Sequence, residues 1–413
     1  MIRIYPSVFN GTLRAPAASD HAQRLLFMSS IPALDTTVCN VPDCDDVDSA
    51  IACLESLGCE VQRFGNSCAV KPFPKNVPVR TVNFDFGQSS TASRIAIALA
   101  AAFGISADCR ATGNNPHIKN VSLTSRMALR GVRFTGFSLP FSMQGRLEAG
   151  EYALDGNEGS QFISALLMAL PLLPDSSTII LNSPLVDSSF VDLTIKSLEG
   201  FGIRIEKTDR GYLIPGRQYY SSPVSINTEN DWGLASLWIA AGAACGEGNG
   251  KIIITDLPGA SPQLYRNVTK ELPLIAQDFT ELDFDASECP SLATFYAAMA
   301  AVKGATVRIS GVPQLKSKET DRLKVMKGIC EALGQSAQIT EDGIAITGTG
   351  RPNYKEDTLV HCQQDPWVFM SMALAAAKLD RPILLDSEHA PEKIYRRFLE
   401  DYKALGGSYE TVL

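Results

Sequence analysis

The stretch richest in groups that could do chemistry is Lys316-Ser317-Lys318-Glu319-Thr320-Asp321-Arg322-Leu323. It follows the strand-like run Thr306-Val307-Arg308-Ile309 and opens an amphipathic helical pattern, so these residues sit at a helix N-terminus. Thr320 or Ser317 can cap that helix. The exposed amides of its first turn, with Lys318 and Arg322, would then form an anion site. A solvated charge run is the plainer reading of the same residues. Two other stretches, Gly156-Asn157-Glu158-Gly159-Ser160-Gln161-Phe162 and Gln88-Ser89-Ser90-Thr91-Ala92-Ser93-Arg94, put small polar groups ahead of apolar helices. Each alone reads as ordinary capping. Several in one chain, converging on a cleft between domains, point to phosphate or carboxylate binding.

Other chemistries find little support. The glycine-rich Gly246-Glu247-Gly248-Asn249-Gly250-Lys251 follows a buried helix and precedes the strand Ile252-Ile253-Ile254, the reverse of a phosphate-binding strand-to-helix loop, so it reads as a hairpin connection. No Gly-x-Ser-x-Gly elbow and no His-Glu-x-x-His occurs. Ten scattered cysteines without a Cys-x-x-Cys pair, and four histidines without a nearby ligand, read as structural groups, and no metal is expected. With 37 Lys+Arg against 45 Asp+Glu the net charge is -8, which disfavours a nucleic-acid partner. No apolar run reaches the length of a membrane span or signal segment, so a cytoplasmic protein is expected.

What must position these residues is a repeated unit: an amphipathic helix, a glycine stop, a strand, a tight turn and a second strand. Copies run from Asp46 to Val70 with Gly58 as the stop, and from Val191 through Phe201-Gly202 to strands at 203–205 and 212–214. A third runs from Leu323 through Leu333-Gly334 to strands at 337–339 and 344–346, a fourth starts at Phe398, and 127–132 is a weak fifth. Between them lie helices that are apolar on nearly every face: 95–103, 162–173, 234–245, 292–302 and 368–378. Such helices must be buried all round. The fold class is therefore α/β, in two domains of about three units each. Gly216–Pro223 and Asn10–Arg14 are the candidate linkers between them.

Lys318-Glu319-Thr320-Asp321-Arg322 and Ser160-Gln161-Phe162-Ile163-Ser164-Ala165-Leu166-Leu167 resemble two signatures of the enolpyruvyl transferases, over essentially the full chain. Asp43-Cys44-Asp45-Asp46, Asn230-Asp231-Trp232 and Lys393-x-Tyr395 with Phe398 fall in that family's order and spacing. The resemblance implies two domains, each of three βαβαββ units with buried central helices. Residues 1–13 with 224–413 would form one and 14–223 the other, with the active site in the cleft between them. It implies carboxyvinyl transfer from phosphoenolpyruvate to shikimate 3-phosphate with release of phosphate, in aromatic amino acid biosynthesis, by a monomer that needs no cofactor. Lys318 and Glu319 would be catalytic. Arg24, Thr91, Arg94, Ser160, Gln161, Lys318, Arg322 and Lys393 would bind substrates.

The chain departs from the family at several of these positions. Pro16-Ala17-Ala18-Ser19-Asp20-His21-Ala22-Gln23-Arg24 stands where the family has Pro-Gly-Ser-Lys-Ser-x-Ser-Asn-Arg, which puts Ser19 at the catalytic lysine. Ser291 stands at the acid/base aspartate, and Asp365-Pro366-Trp367 replaces Asp-His-Arg. Gln88-Ser89-Ser90 replaces Asn-Ala-Gly, and no arginine follows Thr112-Gly113 at the expected place. A second reading is thus a divergent paralogue of low or no such activity that binds a phosphorylated or carboxylated small molecule. Asp20, His21 or Glu288 could have taken over proton transfer.

Overall fold

Amphipathic helices stopped by glycine alternate along the chain with helices buried on all sides, and the computed structural model shows both kinds. It describes residues 1–74, 81–112, 118–245, 251–263, 279–317 and 320–412. The chain forms two compact units. The discontinuous unit comprises Met1–Pro16, Asn230–Gly259 and Gln263–Leu413; the inserted unit comprises Ala17–Glu229 and Ala260–Pro262. Within residues 10–14, taken from the sequence as a linker, Gly11–Arg14 is a strand paired in parallel with Ile252–Thr255. Likewise Ser225–Asn227 pairs in parallel with Thr36–Cys39. The chain changes units at 16/17 and 229/230, and again on either side of Ala260–Pro262.

In the inserted unit the helices are α1 (Ser19–Ser29), α2 (Asp45–Leu57), α3 (Ser90–Phe103), α4 (Val121–Ala128), α5 (Ser160–Ala169) and α6 (Ser188–Gly200). α1, α3 and α5 are buried almost entirely, whereas α2, α4 and α6 bury one face. Gly58 ends α2 at φ 95°, a left-handed conformation that glycine adopts without a Cβ clash. The strands form three four-stranded sheets of one pattern. Thr81–Asp85 and Ser106–Arg110 run parallel, then Phe141–Gly145 and Val132–Phe134 continue antiparallel. Glu151–Leu154, Ser177–Leu181, Gly211–Ile214 and Glu206–Thr208 repeat it, as do Ser225–Asn227, Thr36–Cys39, Ser67–Lys71 and Glu60–Phe64. One apolar core joins these elements.

The first strand of the hairpin, expected at 203–205, lies instead at Glu206–Thr208, and its partner is Gly211–Ile214. The side chain of Gln218 accepts the Arg204 N–H at 2.8 Å and donates to its carbonyl at 2.9 Å. That amide thereby occupies the groups a neighbouring strand would have used.

The discontinuous unit repeats the plan with α7 (Trp232–Cys245), α8 (Ala293–Lys303), α9 (Arg322–Ala332), α10 (Pro366–Ala375) and α11 (Phe398–Ala404). α7, α8 and α10 are the buried ones, around a second core. Glu281–Asp285 and Thr306–Ser310 run parallel, followed by antiparallel Ile344–Thr347 and Ser336–Ile339. In the last sheet, Thr358–Val360 and Ile383–Leu385 are parallel, and the antiparallel third strand is Ile2–Tyr5, which lies between Ile383–Leu385 and Ser408–Thr411. All ten cysteines are free thiols, and all but Cys39 are buried. Burial pushes the Cys109, Cys245 and Cys330 thiols up to about 12, which suits packing rather than reactivity.

Candidate functional site

In the inserted unit, three buried helices begin side by side, and side chains tie each start to the other two. From α1, the Gln23 side-chain amide donates to the Ser19 carbonyl at 3.3 Å and accepts the Ser89 hydroxyl at 2.7 Å. Ser89 also caps α3 by accepting the Ala92 N–H at 3.2 Å. Arg94, one turn into α3, hydrogen-bonds the Gln161 side chain at the start of α5 and donates to the Lys119 carbonyl at 3.1 Å. Its guanidinium carbon lies 4.3 Å from the Phe162 ring centroid, a cation–π contact that holds the group in place. Arg24 of α1 reaches Ser164 of α5 at 3.5 Å, closing the triangle. Ser19, Arg24, Thr91, Arg94, Ser160 and Gln161 therefore stand at one end of three neighbouring helices. Helix starts present unpaired N–H groups and positive dipole ends, so this arrangement favours an anion.

Arg24 does not lie open to a ligand in this arrangement. Only 1% exposed, it donates through Nε to Thr194 Oγ1 at 2.8 Å and through Nη1 to the Asp20 carbonyl at 2.7 Å, and the Asp20 carboxylate is 3.5 Å away. Thr194 of α6 is itself 2.9 Å from Ser164 and donates to the Phe190 carbonyl at 2.7 Å. Burial lowers the Arg24 pKa and raises that of Asp20, and the attraction between the two opposes both shifts.

His21 does not supply a free base. Its Nδ1 accepts the Glu229 N–H at 3.0 Å, which leaves the proton on Nε2, 3.1 Å from Ser197 Oγ. Ser197 donates its hydroxyl hydrogen bond to the Leu193 carbonyl at 2.7 Å, so it accepts from Nε2. Burial, reinforced by nearby Arg24 and Lys196, pushes the imidazole pKa down to about 4, with Glu229 opposing. Glu229 in turn holds Lys196 at 2.8 Å and Ser261 at 2.6 Å. Burial works to raise its carboxyl, but those two hydrogen bonds and His21 outweigh it and hold the pKa low.

The discontinuous unit gathers helix starts in the same way. Ser291 lies in the 3-10 turn Pro290–Leu292 that leads into α8, and its carbonyl accepts the Thr294 hydroxyl at 2.7 Å. Thr294 is also 2.7 Å from Ser371 of α10. The Arg322 Nε is 2.6 Å from Asp365 Oδ2, with side chains 8% and 4% exposed, and Thr320 donates to the same oxygen at 2.6 Å. The other oxygen of Asp365 caps α10 through the N–H groups of Trp367 and Val368. The cap of α9 is Asp321, which accepts the Lys324 N–H at 3.2 Å, and not Thr320 or Ser317 as the sequence suggested. Thr320 is spent on Asp365 instead. Lys393 ends the turn Ala390–Lys393, which packs against α10. Lys318 and Glu319 lie outside the described residues, as does nearly all of the glycine-rich 246–251 segment. Glu288 is exposed just ahead of that 3-10 turn.

The sequence reading missed Asp20 and Gln23 as partners of the expected site residues, and Thr194, Ser197 and Glu229 altogether. The one available signal was polar residues at core-facing positions of α1 and α6. Among the described residues, no group of three His, Cys, Asp or Glu could hold a metal ion, and no helix is long and apolar enough to cross a membrane.

Residues 5–402 match the family model for EPSP synthase (3-phosphoshikimate 1-carboxyvinyltransferase). The chain is 28% identical to a 3-phosphoshikimate 1-carboxyvinyltransferase of Clostridium kluyveri, over 99% of this chain and 98% of that one. It is 26% identical to one of Clostridium perfringens, over 98% of each. Among solved structures it resembles EPSP synthase from Acinetobacter baumannii, with a TM-score of 0.74 at 17% identity and 99% of both chains covered. It also resembles the enolpyruvyl transferase NikO from Streptomyces tendae, with a TM-score of 0.74 at 16% identity, covering 99% of this chain and 98% of that one.

Proposed function

The chain belongs to the EPSP synthase (3-phosphoshikimate 1-carboxyvinyltransferase) family, and from that premise we propose that it transfers the carboxyvinyl group of phosphoenolpyruvate to shikimate 3-phosphate. The acceptor hydroxyl adds to the enol carbon while the methylene carbon gains a proton. Loss of a methyl proton and of phosphate from the tetrahedral adduct then restores the double bond. The family match along nearly the whole chain carries this reading. The gathered helix starts of the inserted unit support it, since both substrates are anions. In this reading Lys318 and Glu319 take part in proton transfer. Ser160, Gln161, Thr91, Arg94, Arg322 and Lys393 bind the substrates, with Arg24 behind them. The protein works as a monomer in the cytoplasm, as a step of aromatic amino acid biosynthesis. Its test is a coupled phosphate-release assay with both substrates, in which sustained release dependent on shikimate 3-phosphate is the expected result.

One observation favours the second reading, a divergent relative that binds a phosphorylated or carboxylated molecule with little turnover. Ser19 and Ser291 stand at the family's lysine and aspartate, and His21, next but one to Ser19, has both ring nitrogens engaged. Calorimetric binding of shikimate 3-phosphate without phosphate release would select this reading.

A further inference from the structure

Asp20 occupies the guanidinium that an acidic ligand of the inserted unit would need. Its carboxylate is 3.5 Å from Arg24 Nη1, and its own carbonyl takes a hydrogen bond from the same nitrogen at 2.7 Å. The Asp20 side chain is 25% exposed while that of Arg24 is 1% exposed, so a ligand approaching the start of α1 meets the carboxylate before the cation. The other charged groups nearby do not alter this balance. His21 is a neutral Nε2–H tautomer, and Lys196 and Glu229 are paired with one another at 2.8 Å.

We propose that Asp20 is a specificity-determining residue, an internal anion that competes with acidic acceptors for Arg24. The inference rests on the reading of these helix starts as the substrate site. It assigns the face of α1 to an uncharged, hydroxyl-bearing part of the acceptor. A carboxylate or phosphate reaches Arg24 only when Asp20 swings away or is replaced. Removing Asp20 leaves a buried cation without its counter-charge, a state that an added anion relieves.

The experiment compares the full-length chain with Asp20→Ser and with the isosteric Asp20→Asn, which keeps the side-chain volume if the serine variant folds poorly. Calorimetry with shikimate 3-phosphate is expected to show at least about tenfold tighter binding in both variants. Their melting temperatures are expected to rise further with added inorganic phosphate than that of the unaltered chain. Affinities equal to or weaker than the unaltered chain, including no heat from any of the three proteins, would overturn the proposal. Phosphate release by the unaltered chain is measured alongside. Turnover together with unchanged affinities removes the role of Asp20 and leaves the family activity standing. Tighter binding in the variants without turnover of the unaltered chain does the reverse.

Discussion

The imidazole Nδ1 of His21 accepts the backbone N–H of Glu229 at 3.0 Å, so a side chain of α1 is fastened to the segment by which the chain leaves the inserted unit. Three residues earlier, the Ala18 N–H donates to the Glu229 carbonyl at 3.0 Å. Protonating Nδ1 would replace an acceptor with a donor facing a donor.

Acid should therefore loosen the fold through this histidine. Its folded pKa of about 4 lies below the ordinary 6.5, so the unfolded chain takes up the proton first as pH falls. The contribution is complete above about 6.5 and disappears on the way down to about 4, amounting to roughly 3 kcal/mol. Urea midpoints measured between those pH values should fall with acid, and a His21→Gln variant should show a flatter dependence. Equal slopes in the two proteins would contradict this account.

Thr194→Val removes the hydroxyl that accepts Arg24 Nε while keeping the side-chain shape. With the guanidinium left partly unpaired, a loss of about 1–3 kcal/mol is expected in chemical denaturation. A change of a few tenths would mean that water replaces the hydroxyl without penalty.

Asp365 serves two partners, the Arg322 guanidinium and the first N–H groups of α10. Asp365→Ala should cost about 3–5 kcal/mol, because it removes a carboxylate that pairs with a buried guanidinium. Asp365→Asn, which can still cap, should recover about 1 kcal/mol of that. Equal losses in the two variants would show that the cap contributes nothing.

Turnover is expected to be slow. With serines at positions 19 and 291 and His21 held as a neutral tautomer, phosphate release should run about 10³-fold below that of a family member carrying lysine and aspartate there. Ser19→Lys combined with Ser291→Asp should restore part of the rate. A single-turnover assay reads both, and an unaltered chain working at a rate on the order of 1–10³ s⁻¹ would refute the expectation.

Much of the fold could be read because apolar spacing and glycine stops are local signals. The five helices apolar on all faces are interior, and Gly58 and Gly334 end their helices with positive φ. Another interior helix, α1, was not legible. Its Ser19, His21, Gln23 and Arg24 are polar yet buried, because their partners come from α3, α5, α6 and residue 229. No periodicity within 19–29 can reveal partners so far away in sequence. The same limit hid the role of Thr320, which looks like a cap beside Asp321 until Asp365, 45 residues later, claims its hydroxyl.

The strand Ile2–Tyr5 lies in the interior of a sheet whose other members are Thr358–Val360, Ile383–Leu385 and Ser408–Thr411. On the ribosome it is made long before any of these partners. At roughly 5–20 residues per second it waits on the order of 20–80 s for them. Residues 17–229 have by then emerged together and can close their own core. Biogenesis thus runs inside out, with the inserted unit complete while its host still carries an unpaired apolar strand. Slowing late translation should lengthen the time over which nascent chains can associate through that strand, without delaying the unit already folded.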